Sequence, residues 1–378
     1  MRIAQVAPLY ESVPPTGYGG TERVVHTLTE ELVRQGHDVT LFASGDSLTS
    51  ARLLSVCGRA LRTDPDSKFP LLPHLELLDE VITRRQEFDV IHFHIDPYHF
   101  PYLHQFKDTA TLTTLHGRLD FKEYRTLFHR FSRAPLVSIS DSQRRPVPWA
   151  NWAATVYHGL APGLLAFEPK PGGYLAFLGR LSPEKRVDRA IEIARLTGMK
   201  LKIAAKKDPA ESHYFENVLA PLMKLPFVEY VGEIGEREKQ EFLGQATALL
   251  FPIDWPEPFG IAMIEALACG TPIIAWRNGS VPEIVKDGVN GFIVESLEEA
   301  ARAVEKIETI SREACRRSFE SNYTSEIMAS NYVQIYENLA DNATRRLRET
   351  VIDFENDYAS RPGWMAKEYV REITFQEL

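Results

Sequence analysis

The sequence predicts an α/β protein built from two similar domains, each an open, doubly wound parallel sheet with helices on both faces. Three observations predict it. Short apolar runs alternate with helical patterns in both halves of the chain, a cluster of Pro and Gly interrupts the alternation midway, and 378 residues suit two domains of roughly 150 residues each.

In the first half the strand-like runs are Arg2–Pro8, Asp38–Ser44, Asp89–His94, Thr111–Leu115, Leu136–Ser140 and Thr155–Tyr157. They are short and rich in Val, Ile and Leu, as strands buried on both faces are. The clearest helix lies over Thr21–Gln35, where Val24, Leu28 and Leu32 recur every four residues and Gly36 marks the stop. The punctuation then changes: Pro162, Gly163, Pro169, Pro171, Gly172 and Gly173 crowd one stretch that reads as an interdomain linker. After it come Tyr174–Leu178, a helix Glu184–Thr197, Lys200–Ala204, Val228–Val231, Thr247–Pro252, Thr271–Trp276 and Gly291–Val294. From about Leu297 onward the chain reads as helical, too long for one closing helix. The expected division is therefore 1–162 for the first domain, 163–325 for the second, and 326–378 for helices that cross back to brace the first.

Composition narrows the function classes. Hydrophobic residues make up 44% and charged residues 25%, ordinary for a globular protein, and no stretch reaches the ~20 apolar residues of a membrane span. A formal net charge of −9 argues against a nucleic-acid partner. Cys57, Cys269 and Cys315 are far apart and odd in number, which fits a reducing compartment and not a disulfide framework. Met1–Leu9 reads as a strand and not a signal peptide. A cytoplasmic enzyme is expected.

Ligands of open α/β sheets sit beyond the carboxyl ends of the strands. After the first strand, Tyr18-Gly19-Gly20-Thr21-Glu22 opens a helix, where backbone can approach an anion or sugar closely. The spacing is not that of a dinucleotide fingerprint. His116-Gly117 follows the fourth strand and could meet a sugar hydroxyl. In the second domain Ser182 should cap a helix starting at Pro183, with Arg180 at the strand tip and Lys185 in the first helical turn. Two cations beside a helix start suit a diphosphate. The strongest signal is Glu257-Pro258-Phe259-Gly260-Ile261-Ala262-Met263-Ile264-Glu265. Its carboxylates flank a helix expected to begin near Gly260. They can accept paired hydrogen bonds from vicinal hydroxyls, while the amides of Phe259, Gly260 and Ile261 point at the same ligand.

Other patterns have plainer readings. His92, His94, Asp96 and His99 resemble a metal set, but a satisfied polar strand end explains them better. Asp64-Pro65-Asp66 matches a manganese-binding Asp-x-Asp pair, yet its prolines mark a loop. No metal ligand and no cofactor are expected. From Arg118 to Arg145 seven Arg or Lys stand against three Asp or Glu. With Phe121 this could lie on a membrane surface, but Tyr124, Leu127, Phe128 and Phe131 at helical spacing favour packing into the core. Asn342-Ala343-Thr344 fits a glycosylation sequon that a cytoplasmic protein would not use.

Taken together, EPFGIAMIE, GRLSPEK, YGGTE, LHG and GSVPEIVKDGVNGFIV resemble the family-four retaining glycosyltransferases of the GT-B fold, in the right order over nearly the whole chain. The opening 25 residues resemble most a bacterial subgroup with transferases of avilamycin-type antibiotic assembly and of pterin glucosylation. The resemblance implies that Arg180 and Lys185 bind the donor diphosphate and Glu265 the ribose. It implies that Glu257 and the backbone of Phe259, Gly260 and Ile261 bind the transferred sugar. His116 would lie near the reacting carbon, Gly19 and Gly20 would face the phosphate, and Gly279 and Ser280 would lie in a loop near the donor. His158-Gly159-Leu160-Ala161 departs from the family's Asn-Gly-Val-Asp. The implied activity moves a hexosyl group from a nucleotide diphosphate sugar, UDP-glucose first and GDP-mannose second, to a small-molecule or glycan acceptor. Front-face displacement is expected, without a metal. A nucleotide-sugar epimerase or a silent sugar-nucleotide-binding protein is the alternative.

Overall fold

The computed structural model describes residues 1–17, 19–207 and 211–359. Two sheets organise it. The first holds seven strands: β1 Arg2–Val6, β2 Asp38–Phe42, β3 Arg52–Leu54, β4 Val90–Phe93, β5 Ala110–Thr114, β6 Leu136–Ser138 and β7 Trp152–Thr155. Their order is β3-β2-β1-β4-β5-β6-β7. The second holds β8 Tyr174–Arg180, β9 Lys200–Lys206, β10 Val228–Gly232, β11 Ala246–Phe251, β12 Ile273–Trp276 and β13 Gly291–Val294, ordered β10-β9-β8-β11-β12-β13. Every pairing in both sheets is parallel. Each order reverses direction once, between β1 and β4 and between β8 and β11, and the carboxyl ends beside such a reversal form a ligand crevice.

Most expected strands stand where the apolar runs placed them. Two differences have physical causes. β3 is a three-residue edge strand paired only with β2, and Arg52 is exposed, so no buried apolar run marks it. The last strand of the first sheet is Trp152–Thr155, slightly earlier than expected: the Val156 amide still donates to Ser138 O at 2.9 Å, and Tyr157 then turns to pack on Phe259 of the second domain.

The linker is not a free tether. Leu165 is buried in the second domain's core. Arg316 donates to the carbonyls of Leu165 (2.9 Å) and Pro162 (3.3 Å), and Arg312 donates to that of Glu168 (2.7 Å). The chain crosses back at Thr324, beside the outward crossing: Leu160 N–H donates to Tyr323 O at 2.9 Å and Ser325 N–H to Leu160 O at 2.8 Å. Gly159 makes this possible, since a Cβ there would lie 2.3 Å from Thr324 O.

The helix Ser325–Ala359 then packs on the first domain. Met328, Tyr332 and Tyr336 are fully buried beside Val24, Leu28 and Leu112. The part of the expected tail beyond Ala359 lies outside the described residues. Asn342 is an exposed residue of this helix and not of a loop. Because Tyr332 fills the interface between the crossing helix and the first sheet, Tyr332→Ala should cost about 3–5 kcal/mol, as loss of a buried aromatic ring does. Urea unfolding should show a clearly lower midpoint; an unchanged midpoint would mean that the helix is not integral to the first domain.

Candidate active site

The carboxyl ends of both sheets face one cleft, with a cavity of about 540 Å3. Gly19, Gly20, His116, Arg180, Lys185, Glu257, Phe259, Gly260, Ile261 and Glu265 all line it. Tyr18 lies outside the described residues. Gly19 and Gly20 enter the helix Gly20–Arg34, and a Cβ at Gly19 would collide with the Pro15 ring at 2.7 Å.

The second domain supplies the clustered charge. Gly260, at φ 84°, turns the chain into the helix Ile261–Ala268. Its first amides have no earlier carbonyl in their own helix, and Gly260 and Ile261 border the cavity. Glu265 sits about one turn in, 2% exposed, and accepts from Lys239 Nζ at 2.6 Å. Glu257 accepts from Lys185 Nζ and, at 2.9 Å, from Trp255 Nε1. The Lys185 ammonium also lies 5.0 Å from the Trp255 ring centre. Phe259 borders the cavity, and its ring packs edge-on against His158 at 4.8 Å.

Gly279 and Ser280 do not border the cavity; they hold the Glu257 loop from behind. Ser280 Oγ donates to Phe259 O at 2.6 Å, and its amide donates to Glu257 O at 3.0 Å. Gly279, at φ 57°, passes so close that a Cβ would lie 2.3 Å from Glu257 N.

The expected cap at Ser182 is not formed. The helix begins at Val187 and not near Glu184, Ser182 Oγ has no hydrogen-bond partner among the described residues, and Lys185 precedes the helix. The reason is a tight turn, with Lys185 N–H to Ser182 O at 3.1 Å, followed by Arg186 at φ 54°. Arg186 is held there by Asp188 at 2.7 Å and Asp254 at 2.9 Å. The turn still delivers Lys185 to the cleft.

On the first-domain wall His116 Nε2 lies 2.9 Å from His94 Nδ1 and its ring stacks on His158, centres 5.3 Å apart. The four residues that resembled a metal set do separate jobs. His92 bonds Tyr336 and Thr114, both at 2.7 Å; His99 stacks on Phe93 and bonds Thr113 at 3.0 Å; Asp96 faces the cleft at φ 51°. Asp64 and Asp66 do not line the cavity. Asp64 Oδ1 instead accepts from the Asp66 amide at 3.1 Å in a local turn. The basic helix Lys122–Arg130 buries Phe128, with Tyr124, Leu127 and Phe131 packed around it, so its aromatic face is core. No helix among the described residues is long and apolar enough to cross a membrane.

Several cleft residues were not singled out in the sequence. Arg23 spans the two domains, pairing with Glu236 and donating to Gly17 O at 3.1 Å. Lys239 sits in Glu236–Gly244, a helix whose charge run reads as solvated surface. Trp255, two residues before Glu257, was the one with a local signal. Glu22 closes the Tyr18–Glu22 motif and Asp96 belongs to the set that resembled metal ligands, but neither carboxyl had a role of its own. Burial lifts both carboxyls, Glu22 to about 7.

Comparison with known proteins matches both halves. Residues 18–176 match the family described as Glycosyltransferase Family 4, and residues 167–323 match Glycosyl transferases group 1. The two models divide the chain between them, one on each domain, and the architecture is the GT-B fold. A probable sucrose-phosphate synthase of Thermosipho melanesiensis is 32% identical over 168 residues, 42% of this chain and 40% of that one. The matched stretches span 40–55% of the length of the first three curated relatives. Among solved structures, a glycosyltransferase involved in avilamycin A biosynthesis has a TM-score of 0.67 at 24% identity, covering 90% of this chain and 98% of that one. The Anabaena protein HepE, solved with UDP, has a TM-score of 0.69 at 15% identity, covering 90% and 100%. It has also been solved with UDP-glucose.

The imidazoles of this GT-B cleft carry a pH signature. Burial holds His92, His94 and His158 well below the ordinary range, and His99 and His116 at about 3. Neighbouring imidazoles add to it for the first three. A folded-state pKa below the unfolded one means that only the unfolded chain takes up protons as pH falls below about 6.5. Each such histidine should remove about 1.4 kcal/mol of stability per pH unit. Glu22 and Asp96 act oppositely, since a raised carboxyl favours the folded state as pH falls toward the unfolded carboxyl range. Five imidazoles outweigh two carboxyls. The urea midpoint should therefore drop between pH 6.5 and 4.5, and a flat or rising midpoint would contradict neutral buried imidazoles.

Proposed function

We propose that the protein transfers a hexosyl group from UDP-glucose to an acceptor hydroxyl, with retention at the anomeric carbon. The observation that carries the reading is the placement of Glu257 and Glu265 on either side of one helix start, each backed by a lysine, on one wall of the cleft. Glu265 would take the ribose hydroxyls and Glu257 those of the sugar. Arg180 and Lys185 would meet the diphosphate. HepE, a neighbour by fold, was solved with UDP and with UDP-glucose, which supports uridine over guanosine as the base to test first. The avilamycin-type and pterin-type subgroup is our proposed placement, supported by the opening motif and by the likeness to the avilamycin enzyme.

In this reading the acceptor oxygen attacks the anomeric carbon from the face that UDP leaves. The carbon–oxygen bond to UDP breaks as the new one forms, and the departing phosphate oxygen takes the acceptor proton. The side chains position the partners and offset the growing charge on UDP. A GT-B epimerase would also release UDP from UDP-glucose, but without a glycosylated product.

Incubation with UDP-glucose or GDP-mannose, following both nucleotide release and a glycosylated product, tests the reaction. Glu265→Ala should weaken UDP binding about 10- to 100-fold, the cost of one charged hydrogen bond in a buried site, and Glu257→Ala should lower transfer instead. Wild-type UDP affinity and turnover in both variants would refute these roles.

We also propose that transfer needs no divalent metal, because Arg180, Lys185 and a helix N-terminus border the cavity where the diphosphate would lie. Excess chelator should leave the rate nearly unchanged, and the double variant Asp64→Ala, Asp66→Ala should stay active. Lys185→Ala should lose about 10²-fold or more. Loss of activity with chelator, restored by manganese, would overturn this.

A further inference from the structure

A buried polar chain runs from the crossing helix to the cleft. Tyr336 Oη lies 3.0 Å from Gln5 Nε2 and 2.7 Å from His92 Nδ1. Gln5 Oε1 lies 2.8 Å from His94 Nε2, and His94 Nδ1 lies 2.9 Å from His116 Nε2. Gln5, His92 and Tyr336 are 0% exposed and His94 is 2%. Gln5 is on β1, His94 follows β4 and His116 follows β5, so three strand ends and a distant helix meet in one chain of hydrogen bonds. Neither buried glutamine nor paired histidines of this kind are needed for packing: apolar residues of similar volume would fill the same space.

The protons along this chain follow from the chemistry of each group. A carbonyl oxygen only accepts, so with Gln5 Oε1 toward His94 the His94 Nε2 must carry the proton. A neutral imidazole has one N–H, so His94 Nδ1 is an acceptor. The short contact to His116 then requires the proton on His116 Nε2, which leaves His116 Nδ1 without one. That nitrogen is buried and has no partner among the described residues, while the His116 side chain lines the cleft. A bare imidazole nitrogen in such a place calls for a hydroxyl that can donate to it. Gln5 keeps its orientation because its Nε2 donates to Tyr336 Oη.

We propose that Gln5 and His94 are positioning residues that present His116 to the cleft as a neutral imidazole with Nδ1 free to accept a hydroxyl of the sugar, and that Tyr336 of the crossing helix fixes that arrangement. This rests on the reading of His116 as the sugar's neighbour. It extends that reading by tying the imidazole's tautomer to a helix reached only after the chain has crossed both domains. His158, stacked on His116, and Phe259, edge-on to His158, brace the ring plane.

The imidazole states can be read without any substrate. Histidine 15N NMR of the full chain should show His116 neutral, with Nε2 protonated and Nδ1 unprotonated. Gln5→Glu removes the donor to Tyr336 and buries a carboxylate beside His94, so His94 should hold protons on both nitrogens and donate to His116 Nε2, which displaces the wild-type His116 tautomer. Gln5→Leu should lose it and lower kcat about 10-fold or more, as an orphaned buried polar group does, while UDP affinity stays unchanged because none of its expected contacts is made by Gln5, His94 or His116. His116 with its proton on Nδ1 in the wild-type chain would overturn the proposal, even if Gln5→Leu failed to fold. So would a folded Gln5→Leu with undiminished kcat. A wild-type chain that transfers no sugar would refute the proposed function alone, since the tautomer is read independently of turnover.

Discussion

The two strands of chain that pass between the domains touch, and that contact sets everything else. Leu160 going out and Tyr323 to Ser325 coming back exchange two backbone hydrogen bonds. Only a glycine at 159 permits the approach. The linker after Leu160 is tied by Arg312 and Arg316 to the second domain, and the helix after Thr324 is sunk into the first. Each domain thus contributes a piece that the other anchors. The carboxyl ends of the sheets face each other because this seam leaves them little freedom to do otherwise.

Across the cleft the domains are also tied by polar contacts that are broken and made more easily. Glu283 of the second domain accepts from the amides of Asp141 (2.7 Å) and Ser142 (2.8 Å) and from Tyr157 (3.0 Å). Arg23 reaches Glu236, and Arg118 lies 3.4 Å from Glu184. Partly exposed pairs of this sort contribute little individually. They suit a cleft that must admit and release ligands.

Inside the cleft the charged groups occur as opposite pairs, Lys185 with Glu257 and Lys239 with Glu265. Removing charge from water is costly, and pairing is how a protein tolerates it. Such pairs are also ready for a ligand that is itself divided into an anionic part and a hydroxyl-rich part. The anion can engage the lysines while the hydroxyls engage the carboxylates. The first-domain wall differs: it is lined by neutral imidazoles and by carboxyls that burial pushes toward the protonated form, so it favours uncharged hydroxyl partners.

The sequence by itself determined the two-sheet architecture, because strands buried on both faces must be short apolar runs and the helices between them must keep one apolar stripe. It also brought the motif residues at the strand ends to the cleft, though not Arg23, Lys239 or Trp255. Parallel sheets bring their strand ends to one edge, so residues after β1, β5, β8 and β11 converge wherever the sheets face each other. What it left open depends on contacts between segments far apart in the chain. The turn at Ser182–Arg186 replaced an expected helix start because Asp188 and Asp254 capture Arg186, and Asp254 lies in another loop. Lys239 reads as surface until Glu265 is placed beside it. His92 and His94 could have been metal ligands, and only the arrival of Tyr336, 242 residues beyond His94 in sequence, gives His92 Nδ1 its hydroxyl partner and orients Gln5 toward His94. Local pattern encodes what a segment buries and where it turns; which polar groups neutralise one another is decided only when the chain has folded back on itself.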